Sequence, residues 1–148
     1  MSAETTRDAL YAMQCVLLTL AGSNDEVLLV GQVDARFALA AKLTRTRARE
    51  VAMDEVFDAI GAHTRALVVV DPDEDALELS AFELPLIIVL SDAENQVSLA
   101  GKNADARGVR VEIRLSETGA DVHHEGLSTT MSAELGRWMD AAPKGPLR

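Results

Sequence analysis

The chain has 148 residues, 48% of them apolar, 26% charged and 3% aromatic, which excludes a disordered or fibrous protein and gives one domain, residues 1–148, enough length for its own core. Subtracting 24 acids from 14 bases leaves a net charge of −10, which repels phosphates and anionic lipid and so argues against nucleic acid and membrane as partners. The lone Cys15 can form no disulfide within the chain and points to a reducing, cytoplasmic setting.

Ala9 to Ala21 is apolar apart from Gln14, Thr19 and the phenol of Tyr11. Glu4 and Asp8 offset Arg7 ahead of it, unlike the basic start of a signal peptide, and the stretch falls short of the roughly 20 residues of a membrane span. Leu10, Met13, Leu17 and Leu20 recur at spacings of three and four, which predicts a buried amphipathic helix that ends at Gly22 and Ser23. From Asp25 to Leu43 the residues Leu29, Val33, Phe37, Ala40 and Leu43 keep helical spacing across Gly31, predicting a second helix, with a short strand over Glu26 to Val33 as the alternative. A third helix is expected near Asp54, turning Val56, Phe57 and Ile60 inward before Gly61. The helical part thus spans about residues 3–64.

Beyond Thr64 the period shortens to two, and turn residues recur at short intervals. Leu67 to Val70, the turn Asp71-Pro72-Asp73-Glu74-Asp75 and the alternation of Leu77, Leu79 and Ala81 predict one hairpin. Leu86 to Leu90 with Val97 and Leu99 predicts a second, and Val109 to Leu115 with Ala120 to Glu125 a third. The alternation of Val109, Val111, Ile113 and Leu115 with Arg110, Glu112 and Arg114 predicts a strand whose charged face is wet. A final helix over about 129–141 presents Met131, Leu135, Trp138 and Met139 on one side. The expected fold is α+β: N-terminal helices, a largely antiparallel sheet of hairpins over about 66–125, and a C-terminal helix packed on it. The alternative is an α/β fold with a parallel sheet, in which Asp71, Ser91 and Asp92 stand at the carboxyl ends of strands, where open sheets bind ligands.

The residues offer little catalytic signature. The acidic turn at 71–75 has the Asp spacing that begins a calcium loop, but Ala76 replaces the glycine and Phe82 the closing acid. On a strand, only His123, Asp121 and Glu125 of the cluster ending in His124 and Glu125 share a face, and His63 is remote in sequence, so no metal is expected. Cys15 sits in the most apolar helix, where a thiol is inert. The chain lacks a nucleophile elbow, a phosphate-binding loop and a dinucleotide fingerprint, and no cofactor is expected. Arg36, Lys42, Arg45, Arg47 and Arg49 form a basic island free of acids in an acidic chain, and as a docking patch they are the candidate partner-binding residues. The run Leu20-Ala21-Gly22-Ser23-Asn24-Asp25-Glu26-Val27 resembles the inter-helix motif of tellurite-resistance TerB-like domains over less than half of the chain. Leu28, Leu29 and Val30 stand where that family has acids, so the resemblance implies no site residue. The expected function is a small non-catalytic protein-binding or regulatory module, adaptor-like or chaperone-like, with a protein partner and a homodimeric state. The alternative is a small enzyme with a site built from scattered carboxylates or histidines.

Overall fold

The computed structural model describes residues 3–70, 84–92, 108–116 and 119–140. Helix α1 (Ala3–Leu20) follows the sequence period and fully buries Ala9, Ala12, Met13, Val16 and Leu17. It is followed by strand β1 (Glu26–Gly31), helix α2 (Ala35–Lys42) and strand β2 (Arg47–Glu50). A short 3-10 turn at Met53–Glu55 leads into helix α3 (Val56–Ala59) and strand β3 (Thr64–Val70). Strands β4 (Leu86–Asp92), β5 (Val109–Ser116) and β6 (Gly119–Glu125) and helix α4 (Thr129–Asp140) complete the described elements.

The strands form one six-stranded sheet in the order β2-β1-β3-β4-β5-β6. Every pair is parallel except β5 with β6. Val27, Leu29, Ala66, Val68, Val70, Leu86, Ile88 and Leu90 face a core shared with α1, α2 and Leu135 of α4, and α1 also touches α4. Leu28, Val30, Leu67, Val69, Ile87 and Val89 point to the opposite face, where Val56 of α3 packs with Met53 and Ile60. Apolar side chains on both faces are what parallel strands between two helical layers require.

The architecture is therefore of the α/β type, which corrects the expectation of hairpins and favours its alternative. The continuous apolar runs of β3 and β4 were the sign: a hairpin arm with one wet face alternates, whereas these strands are buried on both sides and pair in parallel, Val68 with Ile88. The stretches assigned to the turn at 71–75 and to strands around Leu77 to Ala81 and Gln96 to Ala100 lie outside the described residues. The third hairpin is present, with Leu115 opposite Ala120, and the C-terminal helix packs through Leu135 as expected.

Two further corrections concern local structure. The helix expected from Asp25 to Leu43 is a strand followed by a helix, because Val27 to Val30 are all fully buried, which one helical stripe cannot achieve. This strand also replaces the second helix that the TerB-like motif requires. Of the residues expected inward on the third helix, Val56 is buried but Phe57 is 62% exposed. On β5 the charged face is not wet: Arg110 is 2% and Glu112 3% exposed. The Arg110 guanidinium donates to the carbonyls of Leu84 (3.0 Å) and Val109 (3.1 Å), and burial lowers its pKa.

Candidate functional site at the carboxyl ends of the strands

Strand order decides where a crevice opens. The connection from β1 runs outward through α2 to β2, whereas β3 leads inward to β4, so the sheet changes winding direction between β1 and β3. Open α/β sheets bind ligands outside the carboxyl ends of the strands at such a point.

The chain is shaped for close approach there. Gly31 ends β1 at φ +94°, and a Cβ on it would lie 2.3 Å from the Val70 carbonyl oxygen at the end of β3. The Gln32 N–H donates to that oxygen at 2.8 Å, and the Val33 N–H to Gly31 O at 2.8 Å. Asp34 then caps α2, accepting from the Arg36 N–H at 2.9 Å and from the Arg36 guanidinium at 2.6 Å. That guanidinium holds the Asp34 carboxyl below its ordinary pKa. The helix terminus is therefore already supplied with an anion from its own chain.

The other wall comes from β4 and β5. Ser91 is the next residue after Leu90 toward the carboxyl end of β4, and its partner in register is Arg114 on β5. Ser91 is fully buried, and its Oγ has no hydrogen-bond partner among the described residues, an uncommon state for a buried hydroxyl. Arg114 donates from Nε to Glu112 at 2.7 Å, with the arginine side chain 31% exposed and the acid 4%. Glu112, and more weakly Asp121 on β6, raise the Arg114 pKa. A planar guanidinium anchored through Nε still presents its two terminal nitrogens as a fork suited to a carboxylate.

The sequence-selected residues fall elsewhere. His123 pairs with Asp121 at 2.9 Å on the same face as Arg114, and His124 meets Ser132 of α4 at 3.1 Å on the other. His63 is exposed at the amino end of β3. No three metal-ligating side chains converge among the described residues. Cys15 is buried, and burial pushes its thiol up to about 11. The basic island is not one patch. Arg36 lies at the carboxyl end paired with Asp34, while Lys42 and Arg45 lie in the last turn of α2 and the turn beyond it. Arg47 donates to Asn24 O at 3.2 Å, and Arg49 to Ala59 O at 3.0 Å while meeting Glu26 at 3.5 Å. Arg47 and Arg49 occupy an edge strand, where charge discourages pairing with another sheet.

Sequence reasoning named Ser91 and Asp92 only in the parallel alternative and missed Gly31, Asp34 and Arg114. The available signals were Gly31 interrupting an otherwise helical pattern and Asp34 standing just before the helix-forming run Ala35 to Lys42.

The chain matches no protein-family profile and no curated protein sequence. Among solved structures it is similar to N-succinyldiaminopimelate aminotransferase from Mycobacterium tuberculosis, with a TM-score of 0.63 and 18% identity over 89% of this chain and 43% of that one. It shares the fold of part of that chain. Aspartate aminotransferase from Thermus thermophilus gives a TM-score of 0.61 at 15% identity over 90% and 42% of the two chains. Alanine aminotransferase from Pyrococcus furiosus gives 0.57 at 14% over 89% and 42%. The chain thus spans about two fifths of the length of these aminotransferases. Enzymes as neighbours overturn the expectation of a non-catalytic protein-binding module, adaptor-like or chaperone-like, and favour its alternative. Among the described residues, no helix is long and apolar enough to cross a membrane.

Proposed function

We propose that the chain is an enzyme of the aminotransferase fold that acts on an amino acid or 2-oxo acid in the crevice at the carboxyl ends of its parallel strands. The observation that carries this reading is the orphaned, fully buried Ser91 hydroxyl in register with Arg114. Together they offer a carboxylate a hydroxyl donor and a guanidinium fork on one face of the sheet. Gly31 and Val70 keep the neighbouring switch point tight, so the substrate's reacting end would lie against backbone. A cytoplasmic setting agrees with the single thiol.

Aminotransferases work with pyridoxal phosphate, held through a lysine amine with an acid at its ring nitrogen. The described residues do not complete that set. Their one lysine, Lys42, ends α2 at the amino end of the sheet, whereas Lys102 and Lys144 lie outside them. What the described residues supply is recognition of the substrate carboxylate.

The test combines covalent capture with turnover. The full chain is incubated with pyridoxal phosphate, reduced with borohydride and mapped by mass, and amino-group exchange is measured across a panel of amino acids and 2-oxo acids. An adduct at Lys102, which the sequence places between β4 and β5, with exchange whose KM rises about tenfold or more in Arg114→Gln, supports the reading. Absence of both adduct and exchange overturns it.

A further inference from the structure

At the other end of the sheet, roughly 20 Å away along the strands, lies a second feature that the crevice does not explain. The amino ends of β3, β4 and β5, the end of α1 and the start of α4 line a half-open pocket of about 410 Å³, within the range of small-molecule sites. Its walls are mostly apolar, including Leu20, Ala66, Leu86, Val109, Leu127 and Met131. Two side chains of opposite charge, Arg65 and Asp25, interrupt them.

The position of Arg65 follows from a break in the ladder. Glu26 pairs with Thr64 and Val27 with Ala66, so Arg65 is the extra residue of a bulge between β1 and β3. Bulges of this kind re-aim a side chain. The Arg65 guanidinium has no hydrogen bond or ion pair among the described residues, although the chain carries a net charge of −10. Asp25 is not its partner: one carboxylate oxygen, Oδ2, accepts from the Gly22 N–H at 2.7 Å, leaving Oδ1 open. Ser128 already accepts from the Met131 N–H at 3.2 Å, so α4 is capped from within the chain and the cation facing the cavity is Arg65.

We propose that this cavity binds a free α-amino acid with a large apolar side chain. Its carboxylate meets Arg65, its ammonium meets Asp25 and its side chain fills the apolar interior. An unpaired cation and a half-used carboxylate lining one mostly apolar pocket match a zwitterion better than an ion of one sign, because a simple anion leaves Asp25 opposed and a simple cation leaves Arg65 opposed. The site is independent of the crevice at the carboxyl ends and stands whether or not that crevice catalyses amino-group transfer.

The ligand series is L-phenylalanine, 3-phenylpropionate, which lacks the ammonium, and phenethylamine, which lacks the carboxylate. Binding is followed by calorimetry and by the amide shifts of residues around the cavity. Phenylalanine is expected to bind saturably, with each analogue about tenfold weaker, the scale of one charge-assisted hydrogen bond. Arg65→Gln should erase the preference for phenylalanine over phenethylamine. Asp25→Asn, which keeps an acceptor for the Gly22 N–H, should erase the preference over 3-phenylpropionate. Melting curves establish that both variants fold, and the ligand series on the unaltered chain stands without them. Lack of saturable phenylalanine binding, equal binding of all three ligands, or binding that shifts amides only at the carboxyl ends of the strands overturns the proposal.

Discussion

Replacing Gly31 by alanine probes the contact on which the switch point depends. The backbone there sits at φ +94°, and the new Cβ would lie 2.3 Å from the Val70 carbonyl oxygen. Holding an L-residue in a left-handed conformation costs about 1–2 kcal/mol. Moving the end of β3 back by about 1 Å strains a packed interior by another 1–3 kcal/mol or so. It also breaks the 2.8 Å bond from the Gln32 N–H to Val70 O, for about 1 kcal/mol. The expected loss is about 4 kcal/mol, a large part of the roughly 5–15 kcal/mol that holds a domain of this kind, and it lowers Tm by about 10 °C or more. Urea titration with an unchanged m-value measures it. Gly136 is the control, since it lies within α4 and, apart from its chain neighbours and its own helix backbone, no described atom comes within 4 Å of its added Cβ, and Gly136→Ala should gain roughly 0.5–1 kcal/mol. A loss below about 1 kcal/mol for Gly31→Ala would refute the close-approach argument.

Three other outcomes follow from buried polar groups. Ser91→Ala removes a hydroxyl with no partner among the described residues, so thermal unfolding should show a gain of about 1 kcal/mol while the affinity for a substrate carboxylate falls; a loss of stability would mean that the hydroxyl is already satisfied. Thr44 and Thr46 both donate to the Ala41 carbonyl, at 2.6 and 2.9 Å, so Thr46→Val should cost about 1 kcal/mol. The double change with Thr44→Val should cost less than the sum, because the Thr44 N–H still donates to that oxygen at 3.0 Å. Burial raises the Cys15 thiol from 9.0 to about 11, a Tyr11 hydrogen bond offsetting part of the rise. The folded chain therefore keeps a proton that the unfolded chain loses, and this contribution is intact below pH 9.0 and lost as pH rises through about 11. Chemical denaturation over that window should fall more steeply for the unaltered chain than for Cys15→Ala, by up to about 3 kcal/mol; parallel slopes would contradict it.

Legibility tracked how far each segment's fate was decided locally. α1, α4 and the β5-β6 hairpin follow their own periodicity and turn residues, and the sequence locates all three. Leu67 to Val70 and Leu86 to Leu90 carry their sign in continuous apolar runs, but the turn residues between them suggest hairpin arms, and what covers their second face decides the matter. β1 was obscured because Val27 to Val30 are followed by the true helical stripe of α2, and one period runs across both. At the candidate site, Asp34 carried a capping signal. The orphaned state of Ser91 depends on the neighbouring strand and has no trace along the chain. Arg110 and Glu112 look like a solvent face by alternation, yet they are enclosed, and alternation gives the side of a strand without telling what lies above it.

The contact between α1 and α4 joins the first of the described helices to the last of them. During synthesis, α1 emerges with an apolar flank whose remaining cover, around Leu135, is made more than a hundred residues later. The parallel pairings between β1, β3, β4 and β5 likewise join segments far apart in the chain, and such long-range closure is slow. A nascent chain halted before Thr129 would carry most of its sheet with one flank uncovered, a form for chaperones to hold rather than a folded intermediate. Cover for this flank of α1 thus waits until the ribosome has released α4.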